Sequence, residues 1–345
     1  MRKITITSKL LHFLQPAKTS RGVYNTRLSF YLKLTSDEQP NVVGVGECAT
    51  LPDLSCDAMP PNEYERKLRA FCDEYERTGI INYEAMRPYP SMLFGIETAV
   101  AQFNAKGSLN FFGTPFGRGE EGIPINGLVW MGTFNEMFNR MEEKLKAGYH
   151  CVKLKIGAID FEQELQLIQH IRASFSRNDV ELRVDANGGF TPKEALSRIE
   201  ALAQYDIHSI EQPIKQHQWT EMARLCAETP LPIGLDEELI GVNDKQKKIE
   251  LLDTIRPQYI VLKPSLHGGM AGTKEWIQLA CARHIGSWIT SALESNVGLN
   301  AIAQLTAHIY GTNIHHAQGL GTGQLFADNV RMPLKVIDDK LWITQ

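Results

Sequence analysis

Five charged residues end short apolar runs at nearly even spacing along the middle of the chain. Lys155, Asp185, Glu211, Asp236 and Lys263 follow one another at separations of 30, 26, 25 and 27 residues. A strand, a helix and two loops occupy about that length. The spacing therefore predicts a lysine, three carboxylates and a second lysine at the carboxyl ends of five successive parallel strands.

Three of these residues, Asp185, Glu211 and Asp236, are carboxylates that would repel one another if the strands brought them together. A divalent cation relieves that repulsion, and all-oxygen ligands without His or Cys favour Mg²⁺, with Mn²⁺ as a substitute. We therefore expect these three carboxylates to bind Mg²⁺. The alternative is a set of structural ion pairs with the neighbouring lysines.

The lysines add acid–base chemistry. Lys153 and Lys155 lie two residues apart and so point to the same side of a strand, while Lys263 arrives from the opposite side of the predicted barrel. An ordinary lysine has a pKa of about 10.4, too high for a base at neutral pH. A neighbouring cation, a bound metal and an apolar wall all favour the neutral amine. We expect Lys155 to be the base, Lys153 to lower its pKa, and Lys263 to act from the other face.

Strand-like runs recur through the second part of the chain, with helical patterns between most of them. They cover residues 123–130, 151–157, 181–186, 207–212, 231–236, 258–263, 286–291 and 313–318. This rhythm predicts a closed parallel (β/α) barrel over residues 120–325, because an open sheet seldom has such even spacing. Barrel enzymes build their sites at the carboxyl ends of the strands, where the five charged residues are expected.

Residues 1–115 follow a different pattern, typical of an α+β domain. Alternating strands are predicted at 4–7, 26–34 and 42–48, and helices at 61–78 and 91–104. A polar loop with two cations is predicted at 16–24, and residues 326–345 are expected to return to this first domain.

Composition restricts the class of protein. With 43% apolar and 22% charged residues the chain is typical of a soluble globular protein, and its net charge of −4 argues against a nucleic-acid partner. No apolar run approaches a membrane span, and no signal-peptide core is found. Six scattered cysteines indicate reduced thiols in a cytoplasmic protein. Assembly as a homo-oligomer is left open.

Several motifs together resemble the enolase superfamily, in its muconate-lactonising subgroup. They are K-x-K at 153–155, D-A-N at 185–187, E-Q-P at 211–213, D-E at 236–237, L-K-P at 262–264, and the capping-domain motifs at 46–49 and 94–97. The likeness covers nearly the whole chain. It implies a modified TIM (β/α) barrel with an N-terminal α+β capping domain. The family's usual serine after the D-E pair is Glu238 here, so the roles of Glu237 and Glu238 stay open.

Within the subgroup, the turns at 291–296 and 319–326 are similar to those of a Mg²⁺-dependent dehydratase of menaquinone synthesis. The resemblance implies a small carboxylate substrate, a cyclohexadiene carboxylate that bears a succinyl arm. It implies that Lys155 removes the proton α to the ring carboxylate and then helps the hydroxyl leave as water. Lys263 would stabilise the enediolate from the opposite face.

The substrate contacts implied by the resemblance lie in the turns and at the strand ends. The succinyl carboxylate is expected near a serine and a glycine-rich turn, with loops 16–24 and 49–55 closing over the substrate. The expected substrate-binding residues are Ser291, Gly319, Leu320, Gly321, Asn187 and Arg183.

Two alternative functions stay open. Racemisation of N-acylamino acids, or epimerisation of dipeptides, would use the same two lysines on opposite faces. The segment 319–322 has no acidic side chain to hold a substrate ammonium group, which disfavours a cationic amino-acid substrate. A barrel that only binds a carboxylate through its metal is the other alternative, although simple binding does not need a second lysine.

Overall fold

The computed structural model describes residues 1–19, 22–157 and 159–344. The chain begins with an antiparallel sheet in the order β1-β2-β3. Its strands are β1 (Arg2–Thr19), β2 (Gly22–Ser36) and β3 (Gln39–Cys48). The prediction of a loop at 16–24 is wrong for the described part, since Ala17 pairs with Tyr24 and the hairpin continues outward. Arg21, one of the two predicted loop cations, lies outside the described residues.

Two helices pack on this sheet, α1 (Pro61–Thr78) and α3 (Pro90–Asn104), and the short α2 (Tyr83–Met86) packs on α3. β3 and α3 approach each other through glycines. A Cβ atom on Gly46 would lie 1.9 Å from the Gly95 carbonyl oxygen, and one on Gly95 would lie 2.1 Å from Cys48 Sγ. Only glycine permits such direct contact between two backbones. This packing gives a physical reason for glycine in both capping-domain motifs.

The second part of the chain forms a parallel sheet of seven strands in the order β11-β10-β9-β8-β7-β6-β5. They are β5 (Gly127–Val129), β6 (Cys151–Lys155), β7 (Glu181–Asp185), β8 (Ser209–Glu211), β9 (Ile233–Leu235), β10 (Tyr259–Leu262) and β11 (Gly286–Ile289). All seven lie within predicted strands. The predicted fold is confirmed in its main features.

The barrel closes through a segment shorter than predicted. Instead of a strand over 313–318, the structure has isolated parallel bridges at Gln318, with Ile125, and at Gly319, with Thr290. The Gln318 N–H donates to Pro124 O (2.8 Å) and the Gly319 N–H to Ile289 O (2.9 Å). These bonds join the two edges of the sheet, so the eighth strand position is filled by two residues.

A helix follows each of the seven sheet strands. They are α4 (Phe134–Lys146), α5 (Phe161–Ser174), α6 (Pro192–Ala203), α7 (Trp219–Glu228), α8 (Lys245–Ile255), α9 (Gly269–Cys281) and α10 (Asn296–Tyr310), and a 3₁₀ turn (Glu237–Leu239) precedes α8. Local sequence fixes their ends. Thr133 and Glu136 form a reciprocal capping box at the start of α4. Gly148, just beyond its end, has φ +78°, a conformation that glycine adopts without strain.

The end of the chain contacts both units. Its strands β12 (Leu334–Ile337) and β13 (Lys340–Ile343) form a small antiparallel sheet with β4 (Ile123–Pro124), next to the barrel. Phe326 bridges to Phe13 of β1, and their rings lie 4.4 Å apart. The domain limits near residues 115–120 stay a prediction.

Two buried glutamates of the capping unit dock it onto barrel helices. Glu47 of β3 accepts the N–H groups of Ser295 (2.9 Å) and Gly298 (2.8 Å) at the start of α10. Glu97 of α3 accepts the N–H groups of Met270 (2.5 Å) and Ala271 (3.0 Å) at the start of α9. Carboxylates satisfy the free N–H groups of a helix start and oppose its partial positive charge. Both capping-domain motifs therefore carry a residue that fixes the two units together.

All six cysteines lie within the described residues, and each is free, as expected from their scattered positions. Among the described residues, no helix is both long enough and apolar enough to cross a membrane.

Candidate active site

The five charged residues lie at the carboxyl ends of their strands, as the spacing predicts. Lys155, Asp185 and Glu211 are the last residues of β6, β7 and β8, while Asp236 and Lys263 directly follow β9 and β10. In the sheet register Lys155 is level with Asp185, and Asp185 with Glu211. Equal register points the three side chains to the same face, into the barrel. Four of the five are buried, and the side chain of Lys263 is 13% exposed.

Lys153 and Lys155 both pair with Asp185. Asp185 Oδ2 lies 2.8 Å from Lys153 Nζ and 2.9 Å from Lys155 Nζ. Lys153 also bonds Glu211 Oε2 at 2.6 Å. On the far side of the barrel, Lys263 Nζ donates to Asp236 Oδ2. Each carboxylate therefore has a lysine partner, and a lysine bridges two of the three.

These ion pairs shift the pKa values of the carboxylates and lysines that form them. Burial raises the pKa of Asp185, but the ammonium groups of Lys153 and Lys155 outweigh burial and hold that pKa below its usual range. Burial lowers the pKa of Lys263, but Asp236 and Glu237 raise it above the ordinary value. Burial likewise lowers the pKa of Lys153, and its neighbouring carboxylates outweigh burial and raise it. In this arrangement Lys153 and Lys263 are held as cations.

Glu211 differs from the other two carboxylates. Burial and then the charge of Asp185 raise its pKa well above the ordinary value. Its Oε1 and the Oδ1 of Asp236 are buried without a hydrogen-bond partner in the described part of the chain. Leaving such oxygens unpaired is costly, and a cation among the carboxylates would satisfy both. The donor set therefore fits a hard divalent cation.

Lysine ammonium groups contact all three carboxylates. Within the described ranges, the three side chains whose candidate ligand atoms all lie within 4.8 Å of one another are Glu181, His208 and His316, not the acidic residues. Binding of one cation by Asp185, Glu211 and Asp236 together therefore requires these side chains to come closer to one another.

A chain of side chains orients Lys155. Its Nζ donates to Asn187 Oδ1 (2.7 Å), and Asn187 Nδ2 donates to Glu237 Oε1 (2.9 Å). Asn187 is thus in the site, with its backbone N–H bonded to Asp185 Oδ1 (3.0 Å). Glu237 acts on Lys155 through Asn187, a role that the sequence left open.

Glu238 and Gln212 hold the neighbouring turns. Glu238 accepts the N–H of His217 (2.8 Å) and is buried. Gln212 Oε1 accepts the N–H groups of Asp236 (3.2 Å) and Glu238 (3.1 Å). The glutamine of the E-Q-P motif therefore positions the turn that carries Asp236.

A cavity of about 230 Å³ opens above these charges. Lys153, Lys155, Lys263 and Asn187 all line it. The rest of the lining mixes polar side chains, among them Asn126, Arg140, Glu143 and Lys144, with apolar ones from both units of the chain: Tyr24, Leu51, Leu54, Leu128, Trp130, Ala292, Leu293 and Leu325. The pocket therefore combines lysines with apolar surface, which suits a carboxylate with a hydrocarbon ring.

Two of the predicted substrate contacts, Ser291 and Gly319, line this cavity. Ser291 Oγ lies 2.5 Å from Thr322 Oγ1, a pocket residue that the sequence did not single out. The Gly319 N–H is engaged with Ile289 O, so it is not available to an anion. A Cβ atom on Gly319 would lie 2.0 Å from Thr290 Oγ1, so close packing explains this glycine.

Of the other predicted substrate contacts, some line the cavity and some do not. Gly321 lines the cavity. Leu320 does not contact the substrate space through its side chain, which is buried in the barrel core. The prediction that Arg183 binds substrate is wrong. Arg183 points inward as expected but lies two residues before Asp185 on β7, and its guanidinium bonds Glu181 Oε1 (2.7 Å) and Ala317 O (2.9 Å).

Two segments of the capping unit, the β1–β2 hairpin and the loop at 49–55, line the pocket and form its cover. Tyr24 donates from its hydroxyl to Asp53, which joins the β1–β2 hairpin to the loop at 49–55. Buried Arg27 donates to Ala49 O (3.0 Å) and to Ala292 O in the turn after β11. One guanidinium thus connects the capping loop to the barrel. No sequence motif marked Arg27, because its carbonyl partners are specified only by the fold.

Comparison with known proteins identifies the family. A family model described as enolase C-terminal domain-like matches residues 136–343. The o-succinylbenzoate synthase of Desulfotalea psychrophila is 44% identical, in an alignment that covers 94% of this chain and 95% of that protein. The chain belongs to the enolase superfamily.

Solved structures of enolase-superfamily proteins share the whole architecture. The crystal structure of MenC from Desulfotalea psychrophila has a TM-score of 0.82 at 40% identity and covers 99% of both chains. A dipeptide epimerase from Enterococcus faecalis, solved with Mg and the dipeptide L-Leu-L-Tyr, has a TM-score of 0.83 at 20% identity, and the match covers 99% of this chain and 96% of that one. The second likeness shows the fold alone. Together they confirm the modified TIM barrel with its N-terminal α+β unit.

Proposed function

We propose that this protein catalyses the syn dehydration of 2-succinyl-6-hydroxy-2,4-cyclohexadiene-1-carboxylate to o-succinylbenzoate in menaquinone biosynthesis. The observation that carries the proposal is the position of Lys155 and Lys263. They stand at the ends of β6 and β10, four strands apart in a barrel of eight strand positions, with three buried carboxylates on the strands between them. The 44% identity to an o-succinylbenzoate synthase supports this substrate.

Asp185, Glu211 and Asp236 would hold Mg²⁺, or Mn²⁺ as a substitute. The buried oxygens without partners on Glu211 and Asp236 support this assignment. When bound, the cation would supply positive charge beside the substrate carboxylate, where negative charge develops during proton removal.

Lys155 acts as the base in the proposed reaction. Its Nζ takes the proton from the ring carbon that bears the carboxylate, and the electron pair passes into that carboxylate. Asn187 fixes the direction of Nζ through its hydrogen bond at 2.7 Å. Such positioning matters, because a base must lie within hydrogen-bond reach of the proton it removes.

Lys263 acts from the opposite face as a cation. Its raised pKa keeps it protonated, so it stabilises the negative charge of the enediolate without exchanging a proton. Protonated Lys155 then donates its proton to the hydroxyl on the neighbouring ring carbon, the C–O bond breaks, and water leaves. One base serves both steps, so proton and hydroxyl must lie on one face of the ring.

The assay that tests the proposal follows the aromatic product by ultraviolet absorbance, with and without Mg²⁺. Lys155→Ala and Lys263→Ala should each abolish turnover while the protein keeps its circular dichroism spectrum and loses no Mg²⁺ affinity. Lys193→Ala, at an exposed position, is the matched control and should retain activity. Wild-type turnover by Lys155→Ala would overturn the mechanism.

The same preparation separates the alternative functions. Solvent deuterium entering both enantiomers of an N-acylamino acid would indicate a racemase, and no turnover with metal-dependent carboxylate binding would indicate a binding protein. Residues 319–325 carry no acidic side chain for a substrate ammonium group, which supports the dehydratase. The six free cysteines support a cytoplasmic location, and assembly as a homo-oligomer stays a prediction.

A further inference from the structure

A second group of ligand side chains lies at the amino end of the barrel. Glu181 opens β7, His208 precedes β8, and His316 precedes the closing bridge at Gln318. Glu181 and Asp185 are four residues apart on one strand, a separation of about 13 Å at the usual rise per residue. The group is therefore distinct from the proposed Mg²⁺ site.

The three residues have the spacing of metal ligands. One donor atom from each of Glu181, His208 and His316 lies within 4.8 Å of the other two, and in the part of the chain that the structure describes no other trio of His, Cys, Asp or Glu meets this condition. His316 is exposed and the other two are half-buried, so an ion can enter from solvent and keep water ligands.

Further contacts orient each ligand. His208 Nδ1 lies 2.9 Å from Ser209 Oγ, which leaves Nε2 for a ligand. Arg183 Nε bonds Glu181 Oε1 at 2.7 Å. Gln318 Nε2 donates to the His316 carbonyl (2.8 Å) and so fixes that turn. Metal-binding histidines and carboxylates are typically held by such outer hydrogen bonds.

The chemistry of the donors selects the kind of ion. Two imidazoles and one carboxylate suit Zn²⁺ and its neighbours Ni²⁺ and Cu²⁺ better than Mg²⁺, which prefers oxygen ligands alone. The positive charge of Arg183 opposes a cation, but its guanidinium is paired with Glu181 and stacked 4.4 Å from the Trp288 ring centroid. Arg183 therefore lowers the affinity for a cation but does not occupy the site.

We propose that Glu181, His208 and His316 bind one Zn²⁺ ion at the amino end of the barrel. Its structural consequence follows from the fold. The segment that closes the barrel, at residues 318–319, is held by two isolated bridges, whereas β7 and β8 belong to the sheet. An ion shared by all three would fasten the closing segment to the sheet from the end opposite the proposed active site.

Titration of Zn²⁺ into Mg²⁺-saturated protein tests this proposal by calorimetry and by the shift in Tm. His316→Gln is the informative variant, because His316 is exposed and its replacement leaves the core unchanged. His315→Gln, one residue away and also exposed, is the matched control. We expect one Zn²⁺ event whose affinity falls at least tenfold in His316→Gln and is unchanged in His315→Gln.

Co²⁺ provides a second measurement that does not depend on activity. Its visible d–d absorption should develop in the wild-type protein saturated with Mg²⁺, and weaken in both His316→Gln and His208→Gln. Equal Zn²⁺ binding and equal Co²⁺ spectra in the wild type and in both variants would overturn the proposal. Equal losses of Zn²⁺ affinity in His315→Gln and His316→Gln would also overturn the proposal, since they would indicate binding at the surface by neighbouring histidines.

Discussion

Lys153 and Glu211 form a buried ion pair, with Nζ and Oε2 2.6 Å apart, inside the site proposed for Mg²⁺. The same ammonium group lies 2.8 Å from Asp185 Oδ2. Lys153 thus contacts one oxygen of each of two carboxylates that are proposed to bind Mg²⁺. A cation bound there would lie close to the Lys153 ammonium group and be repelled by it, which leads to the first prediction.

Lys153→Met should bind Mg²⁺ about tenfold more tightly than the wild type, because two charges a few ångströms apart repel by more than 1 kcal/mol in a buried site. Without metal the variant should have a lower Tm, since its three carboxylates lose a shared counter-ion. Calorimetry and the Tm shift on adding Mg²⁺ measure both effects. Lys193→Met is the control, and weaker Mg²⁺ binding by Lys153→Met would contradict this repulsion.

The second prediction concerns Arg27, which bonds the carbonyls of Ala49 and Ala292 on the two sides of the pocket cover. Arg27→Met should raise KM about tenfold while kcat changes less, because the cover closes on the substrate but does not carry the lysines. Arg27→Lys should recover part of the loss, since its single ammonium group can satisfy only some of these contacts.

Steady-state kinetics in the dehydration assay measure this division between KM and kcat. Arg66→Met, at an exposed position of the same unit, is the matched control and should leave both constants unchanged. An Arg27→Met protein that folds and keeps the wild-type KM would show that the Arg27 contacts are structural only.

The third prediction concerns Glu47, whose two carboxylate oxygens accept bonds from Ser29, Ser295 and Gly298. Glu47→Gln should lower the free energy of unfolding by about 3 kcal/mol, since the amide group of glutamine places a donor against buried N–H donors. Urea unfolding followed by circular dichroism measures the change. Glu38→Gln, at an exposed site, should alter it by less than about 0.5 kcal/mol.

Much of the fold and the chemistry could be predicted from the sequence. Charged residues at the ends of apolar runs, such as Asp185 and Glu211, are visible because a period of 25 to 30 residues repeats along the chain. A barrel converts that period directly into neighbouring positions on one rim. The seven strands of the barrel sheet were predictable for the same reason.

What could not be predicted depends on contacts between distant segments. Arg183 shares the inward face of β7 with Asp185, but alternation alone does not indicate which end of the barrel a side chain reaches. Arg27 and Thr322 acquire their partners only when the loops are placed. The extension of the β1–β2 hairpin through residues 17 and 24 was missed because its composition is polar.

The last prediction uses the pH dependence of stability. His267 is buried, and its Nδ1 accepts the N–H of Lys263 at 2.9 Å. Burial lowers the pKa of His267 to about 3, helped by the charges of Lys263 and Lys248. The unfolded chain takes up the proton at about pH 6.5, whereas the folded protein does so only near pH 3. The unfolded state therefore binds more protons in this window, and the free energy of unfolding should decrease as the pH is lowered from 6.5 towards 3.

His267→Asn isolates this contribution, because its carboxamide oxygen can accept the Lys263 N–H but does not titrate. The wild type should lose stability relative to this variant by on the order of 3 kcal/mol between pH 7 and pH 4, at 1.36 kcal/mol per pKa unit. Urea unfolding across that range gives the difference directly. His315→Asn, which removes an exposed histidine, should keep the wild-type dependence. Parallel curves for wild type and His267→Asn would mean that His267 is not held neutral in the folded protein.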